Sequence, residues 1–187
     1  MSAWPDRDEA LRILKDWTEN ENLRKHAYAV EAAMRAYAER FDADPDKWGV
    51  VGLLHDFDYE KYPDMADHPF QGVEFLREQG YTEELAEGVL AHAEHTRVER
   101  DTPMKKAIFA VDELTGLIVA VALVRPSKKI ADVEVESVMK KWDESSFASG
   151  VDRGMVEKGA DELGVPLEQH VGIVLDAMKD IADRLGL

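Results

Sequence analysis

The chain contains no cysteine among its 187 residues, and this absence limits the chemistry available to it. Without thiols there is no disulfide, no thiolate-bound zinc and no cysteine nucleophile, so any metal ion must be held by nitrogen and oxygen atoms. Long apolar runs are missing too, because the longest uninterrupted one, residues 116–124, is too short to span a bilayer. The first ten residues lack the basic, apolar and small-residue blocks of a signal peptide. We therefore expect a cytoplasmic protein without a membrane partner.

Positive charge is scarce as well, with 23 Lys and Arg against 39 Asp and Glu and a net charge of -16. Such a charge repels the phosphates of nucleic acids and anionic lipids, which argues against both as general partners. The balance is uneven: residues 97–141 contain nine basic and seven acidic side chains, a net +2, so the remaining residues sum to -18. This basic segment fits a small anionic ligand better than a polymer, although a solvated basic surface explains it equally well.

Hydrophobic residues recur at spacings of three and four along most of the chain, which predicts helices rather than strands. A chain of this length with 45% hydrophobic residues can bury one sizeable core. The sequence therefore predicts one all-α domain, a single compact helical bundle over residues 1–187. A capping residue followed by proline marks helix starts at Asp44 and Thr102, and the second start predicts a long helix over residues 103–124.

Three of the predicted helices bring metal-competent side chains to apolar surroundings. His26 lies on the apolar face of the second helix. His55 and Asp56 directly follow an apolar helix, and a carboxylate beside an imidazole can bind one ion or bridge two. Asp112 and Glu113 are the only charged residues within residues 107–124. Because neighbours on a helix point about 100° apart, at most one of the two reaches solvent easily, and the other needs a cation, a histidine or a metal.

Each of these residues has an ordinary structural explanation when taken alone. An inward aspartate more often pairs with lysine or arginine, and a lone His-Asp pair can cap the next segment. Their order along the chain is more informative. A histidine comes first, a His-Asp pair follows an apolar helix, and an aspartate lies inside a later helix. In this order the sequence resembles the HD-domain metalloprotein superfamily over roughly residues 23–124. Residues 112–116, with residues 124–128 downstream, look like one bacterial branch of predicted HD hydrolases.

The resemblance implies a bundle of the HD-domain type, with a motif core over residues 23–124 and C-terminal helices, residues 128–187, packed on it. In that superfamily the four motif residues bind a divalent ion; here they are His26, His55, Asp56 and Asp112. Members with two ions add two histidines between the His-Asp pair and the last aspartate, an interval that here contains His68 and His92. The implied cofactor is thus one or two divalent transition-metal ions, such as Fe, Mn or Zn.

Two other histidines are less suitable as ligands. We prefer His92 to His95 because it continues the apolar face of the helix before it, and His170, in the terminal helix, fits none of the ligand positions. His68 precedes a proline at a junction between loop and helix, so an exposed or capping role is almost as plausible for it.

The resemblance implies a phosphohydrolase with His55 and Asp56 at its catalytic centre, acting on a small phosphorylated metabolite or nucleotide. Arg125, Lys128 and Lys129, just beyond the long helix, are expected to bind the anionic substrate, with a solvated basic loop as the alternative. Many members have a lysine three positions after the motif aspartate, whereas this chain has Tyr59. That tyrosine either donates a hydrogen bond to the substrate or packs its ring against the loop.

Two further functions are compatible with the same six ligands. A few HD-type proteins hold two irons and oxidise their substrates with dioxygen. A third possibility is a non-catalytic module that binds a nucleotide or another phosphate through the metal. Ligand identity alone does not separate these functions from hydrolysis.

Overall fold

The computed structural model describes residues 3–187, and within this range it contains ten α-helices and no strand. The all-α prediction is confirmed. The helices are α1 (Arg7–Trp17), α2 (Glu21–Arg40), α3 (Pro45–Leu54), α4 (Phe70–Glu78), α5 (Glu83–Leu90), α6 (Pro103–Val124), α7 (Val135–Lys140), α8 (Arg153–Leu163), α9 (Leu167–Lys179) and α10 (Ala182–Leu185).

Side-chain caps explain why several helices begin where the sequence predicts. The carboxylate of Asp44 accepts from two backbone N–H groups in the first turn of α3, and Pro45 follows it. Thr102 caps α6 in the same way, ahead of Pro103. Farther along the chain, Pro69 directly precedes α4, and the end of the chain is divided between α9 and α10.

The helices α2 and α6 contain His26 and Asp112, α3 leads directly to His55 and Asp56, and small residues let helices pack closely around these positions. At Gly52 in α3, an added Cβ would lie 2.8 Å from the Cα of Glu31 in α2, so a side chain there would force these two helices apart. At Gly159 in α8, an added Cβ would lie 2.5 Å from the Cα of Ala110 in α6. Glycine at both positions therefore fixes how near α3 and α8 approach the helices that bear His26 and Asp112.

The C-terminal helices cover the motif core, with α8 packed along α6 and α9 packed on both α2 and α6. By length and composition alone, the helix α6 could cross a membrane, but 61% of its most apolar 18-residue stretch is buried inside the protein. A core helix surrounded by other helices has this same composition.

Candidate metal centre

His26, His55, Asp56 and Asp112 converge from three parts of the chain and form the first of two ligand groups. His26 comes from α2, Asp112 from the middle of α6, and His55 and Asp56 directly follow α3. The Nε2 atom of His26 lies 3.2 Å from Nε2 of His55 and 2.9 Å from Oδ1 of Asp112. The Nε2 atom of His55 lies 3.4 Å from the same aspartate oxygen. These four side chains could hold a metal ion.

Asp56, His68 and His92 form the second ligand group. Oδ1 of Asp56 lies 3.1 Å from Nε2 of His68 and 3.3 Å from Nε2 of His92, and these two ring nitrogens are 3.2 Å apart. The other oxygen of Asp56, Oδ2, faces the first group, 3.5 Å from Nε2 of His55. One carboxylate thus joins the two groups through its two oxygens, which is the bridging arrangement that a pair of ions requires.

The outer nitrogens of two histidines show that the centre suits a cation. His55 Nδ1 donates to the carbonyl of Gly52 at 2.8 Å, and His92 Nδ1 donates to the carbonyl of Val89 at 2.6 Å. A carbonyl cannot donate, so the ring proton of each neutral imidazole resides on Nδ1 and the lone pair of Nε2 points into the centre. A second Nε2, that of His26, stands opposite the lone pair of His55. A metal ion satisfies such facing lone pairs.

His68 and His26 are oriented by residues that the sequence analysis did not identify. Nδ1 of His68 lies 2.7 Å from Oδ1 of the fully buried Asp58, whose other oxygen accepts from the backbone N–H of Gly72 at 2.8 Å. The hydroxyl of Thr115 donates to the carbonyl of Asp112 and lies 3.3 Å from Nδ1 of His26. The sequence does contain a signal for Asp58, because this carboxylate lies only two positions after the motif residue Asp56. No local sequence pattern indicates Thr115.

The spacing of the ligand atoms agrees with one ion in each group. Nitrogen and oxygen atoms bound about 2.0–2.2 Å from an ion, at octahedral or tetrahedral angles, lie about 2.8–3.6 Å from one another. The distances between ligand atoms quoted above run from 2.9 to 3.5 Å, and His26 Nε2 lies 3.8 Å from Asp56 Oδ2. The residues of each group therefore could hold a divalent ion.

The acids and histidines of the centre also perturb one another's protonation. Burial alone would lower the pKa of His55, but the nearby carboxylates of Asp56 and Asp112 raise it well above its ordinary value. Burial opposes ionisation of Asp112, yet His55 and His26 hold its pKa well below the usual range. A second proton therefore occupies the His55 ring of the metal-free centre, and metal binding must release it.

A cavity of about 520 Å³ opens onto both ligand groups. Beyond the ligands, its wall includes the apolar side chains of Met65, Val151 and Met155 and the carboxylates of Glu94 and Glu113. Tyr59, predicted to contact the substrate, also lines it. A molecule in this cavity would reach the ligand groups directly.

Arg125, Lys128 and Lys129 do not line this cavity. Arg125 follows α6, thirteen residues after Asp112, which corresponds to about 20 Å along the helix axis. Its guanidinium donates to the hydroxyl of Ser137 at 3.0 Å. Contact of Arg125, Lys128 and Lys129 with a substrate stays a prediction, and the geometry of the centre gives it no support.

The remaining two histidines lie outside both ligand groups. Nε2 of His95 lies 2.8 Å from the backbone carbonyl of His68 and can donate to it. His170 is fully buried, with Nδ1 2.5 Å from the hydroxyl of Tyr37 and Nε2 donating to the carbonyl of Ala110 at 2.8 Å. Both placements agree with the preference for His92 over His95 and with a structural role for His170.

Comparison with known proteins gives one family match. The family model described as HD domain matches residues 23–117, which is more than half of the chain. The matched segment contains all six residues of the two ligand groups. No solved structure matches the chain.

Proposed function

We propose that this chain, which belongs to the HD-domain superfamily of metal-dependent phosphohydrolases, hydrolyses a phosphoester of a small metabolite or nucleotide. The observation that best supports this proposal is the position of Asp56, whose two oxygens face two separate groups of ligands beside one open cavity. Two ions held side by side can clamp the attacking and leaving oxygens of a displacement at phosphorus.

His26, His55 and Asp112 would hold one ion, His68 and His92 the other, and Asp56 both. When bound, such ions lower the pKa of water toward neutrality and offset the charge that develops on the phosphoryl oxygens. The chain's own contribution is to fix the ligands. The carbonyls of Gly52 and Val89 accept from Nδ1 of His55 and His92 and so direct Nε2 of each ring toward an ion, and Asp58 orients His68.

The cavity wall would then determine how a substrate is held. Tyr59 lines the cavity close to the second ligand group, with its ring centroid 5.3 Å from that of His68. Its phenol is suited to donate a hydrogen bond to a phosphoryl oxygen.

The test begins with elemental analysis of protein purified without chelator, followed by restoration of the native metal. Phosphate release from a panel of phosphomonoesters is then measured in air and under anaerobic conditions. We expect release that requires metal and is unaffected by removing oxygen, with Asp56→Ala inactive and His95→Ala close to wild type.

Two results would contradict the proposal. Oxygen consumption coupled to loss of the organic substrate would identify an oxygenase. Stabilisation of the metal-loaded protein by phosphate compounds, without turnover of any of them, would identify a binding module.

A further inference from the structure

The cavity wall beyond the metal ligands includes apolar side chains from two segments of the chain. Tyr59 and Met65 come from the segment after α3, and Val151 and Met155 come from just before α8 and from its first turn. Tyr59 is 41% exposed and Met65 is 65% exposed. Large apolar side chains left open to water beside a polar centre are typical of a surface that a ligand covers.

The charged side chains of the wall are acidic. Glu94 and Glu113 line the cavity, and no lysine or arginine does so within residues 3–187. Glu113 accepts a hydrogen bond from the backbone N–H of Asp152 at 3.1 Å. Protonated or ionised, neither carboxyl group offers positive charge to an anion.

The basic residues that contact Glu94 or follow Val151 in sequence already have partners within the protein. Lys158 forms an ion pair with Glu94. Arg100 makes two hydrogen bonds of 2.7 Å to the carboxylate of Glu162. The guanidinium of Arg153 donates to the backbone carbonyls of Phe147 and Lys141, at 2.7 and 3.1 Å. Within residues 3–187, the wall itself therefore offers no lysine or arginine side chain to an anionic ligand.

We propose, on the premise of the proposed function, that the substrate is a phosphomonoester whose single phosphate is its only anionic group. The rest of the molecule is an uncharged aryl or alkyl group that contacts the apolar wall residues Tyr59, Met65, Val151 and Met155. A second phosphate or a carboxylate remote from the metal would meet no lysine or arginine in the wall and would lie near the carboxyl group of Glu113. Like charges brought together at a partly desolvated site cost binding energy.

A matched pair of compounds tests the proposal on metal-loaded protein. Phenyl phosphate and 4-carboxyphenyl phosphate differ by one remote negative charge. We expect kcat/KM for phenyl phosphate to be higher by about tenfold or more, and the ratio to shrink as salt is added, because screening weakens the repulsion. Equal values, or a preference for the carboxylated ester, would overturn the proposal.

Binding of the corresponding phosphonates, which cannot be hydrolysed, separates this proposal from the proposed function. We expect the dissociation constant of phenylphosphonate, measured by calorimetry, to be lower than that of 4-carboxyphenylphosphonate by about tenfold or more. If this preference is found while neither ester is hydrolysed, the apolar subsite is supported and the phosphohydrolase assignment fails. If both esters are hydrolysed and the phosphonates bind equally, the subsite is wrong and the assignment stands.

A lysine introduced into the wall should reverse the preference. In Met65→Lys, at a position already largely exposed, we expect affinity for 4-carboxyphenylphosphonate to rise by about tenfold relative to phenylphosphonate. Leu123→Lys, which adds the same charge at an exposed position outside this cavity, is the matched control. An unchanged ratio in Met65→Lys, or the same gain in Leu123→Lys, would contradict a subsite at this wall.

Discussion

His55 and His170 are both fully buried histidines, yet their surroundings differ in kind. At His170 both ring nitrogens have a hydrogen-bonding partner, Tyr37 on one side and the carbonyl of Ala110 on the other. At His55, Nδ1 has a backbone partner, and Nε2 faces a second imidazole nitrogen together with the oxygens of Asp56 and Asp112. The first region is a closed hydrogen-bonded unit, whereas the second gathers several ligand atoms that could hold a metal ion.

The protonation of the two rings shows the same contrast. Burial lowers the pKa of His170 to about 4, so this ring remains neutral. Burial acts on His55 in the same direction, but two carboxylates outweigh it and raise the pKa well above the ordinary value. Burial alone therefore does not mark a candidate metal ligand, whereas a ring nitrogen that faces several other ligand atoms does.

The largest expected effect is that of Asp56→Ala. One carboxylate serves both ligand groups, so its loss should lower metal affinity by about a hundredfold or more and leave the purified protein nearly free of metal. His170→Gln is the buried control and should retain the metal content of the wild type. Full occupancy in Asp56→Ala, measured by elemental analysis, would mean that the centre is not a metal site of this design.

His68→Ala and His92→Ala sharpen the comparison within the centre. Each removes one ligand of the second group only, so metal content should fall from about two ions per chain to about one. The measurement is metal stoichiometry at saturation, with His95→Ala as the control. A wild type that never binds more than one ion would refute the paired centre and return both histidines to other roles.

His170 should make folding sensitive to acid in a definite pH window. Its pKa is about 4 in the folded protein against about 6.5 when unfolded, so the unfolded chain binds the proton first and stability falls as pH drops from about 6.5 to 4. The loss amounts to about 3 kcal/mol at the acid end of this window.

His170→Gln removes this titration and identifies its contribution. Denaturant unfolding of metal-free wild type and variant at several pH values gives the difference between them, in which the other histidines cancel. That difference should change by about 3 kcal/mol across the window. A constant difference would show that His170 is not held neutral by burial.

The smallest expected effect is that of Asp58→Asn. Asparagine keeps the volume, but only one of its two polar atoms is an acceptor, whereas Asp58 accepts from both Gly72 and His68. Affinity for the second ion should fall by about 10- to 100-fold, with the first ion unaffected. Equal loss at both ions, in a titration that resolves them, would show general unfolding of the centre.

The sequence predicted the local features of the fold more accurately than the distant ones. Both ends of α6 were predicted correctly, because Thr102 with Pro103 at the start and Pro126 beyond the end act within a turn or two of the backbone. His92 was placed on a helix, but α5 ends at Leu90 and the histidine lies in the turn that follows. Its selection over His95 nevertheless agrees with the second ligand group.

The substrate residues illustrate why the rest was harder to predict. Arg125, Lys128 and Lys129 were chosen because they follow the helix that bears Asp112, but nearness in sequence is not nearness in space when a straight helix intervenes. The wall residues Val151 and Met155 come from an element that the motif does not include. Only the packing of α8 on α6 brings them to the centre.

The span of chain between His26 and Asp112 has a consequence for how the protein acquires its ion. These ligands are separated by 86 residues in sequence but only 2.9 Å in space. The entropy of closing so long a loop must be offset by helix packing before any ion can find its ligands together. Metal uptake during refolding should therefore follow the burial of the core, and its rate would report the completion of tertiary structure rather than the formation of individual helices.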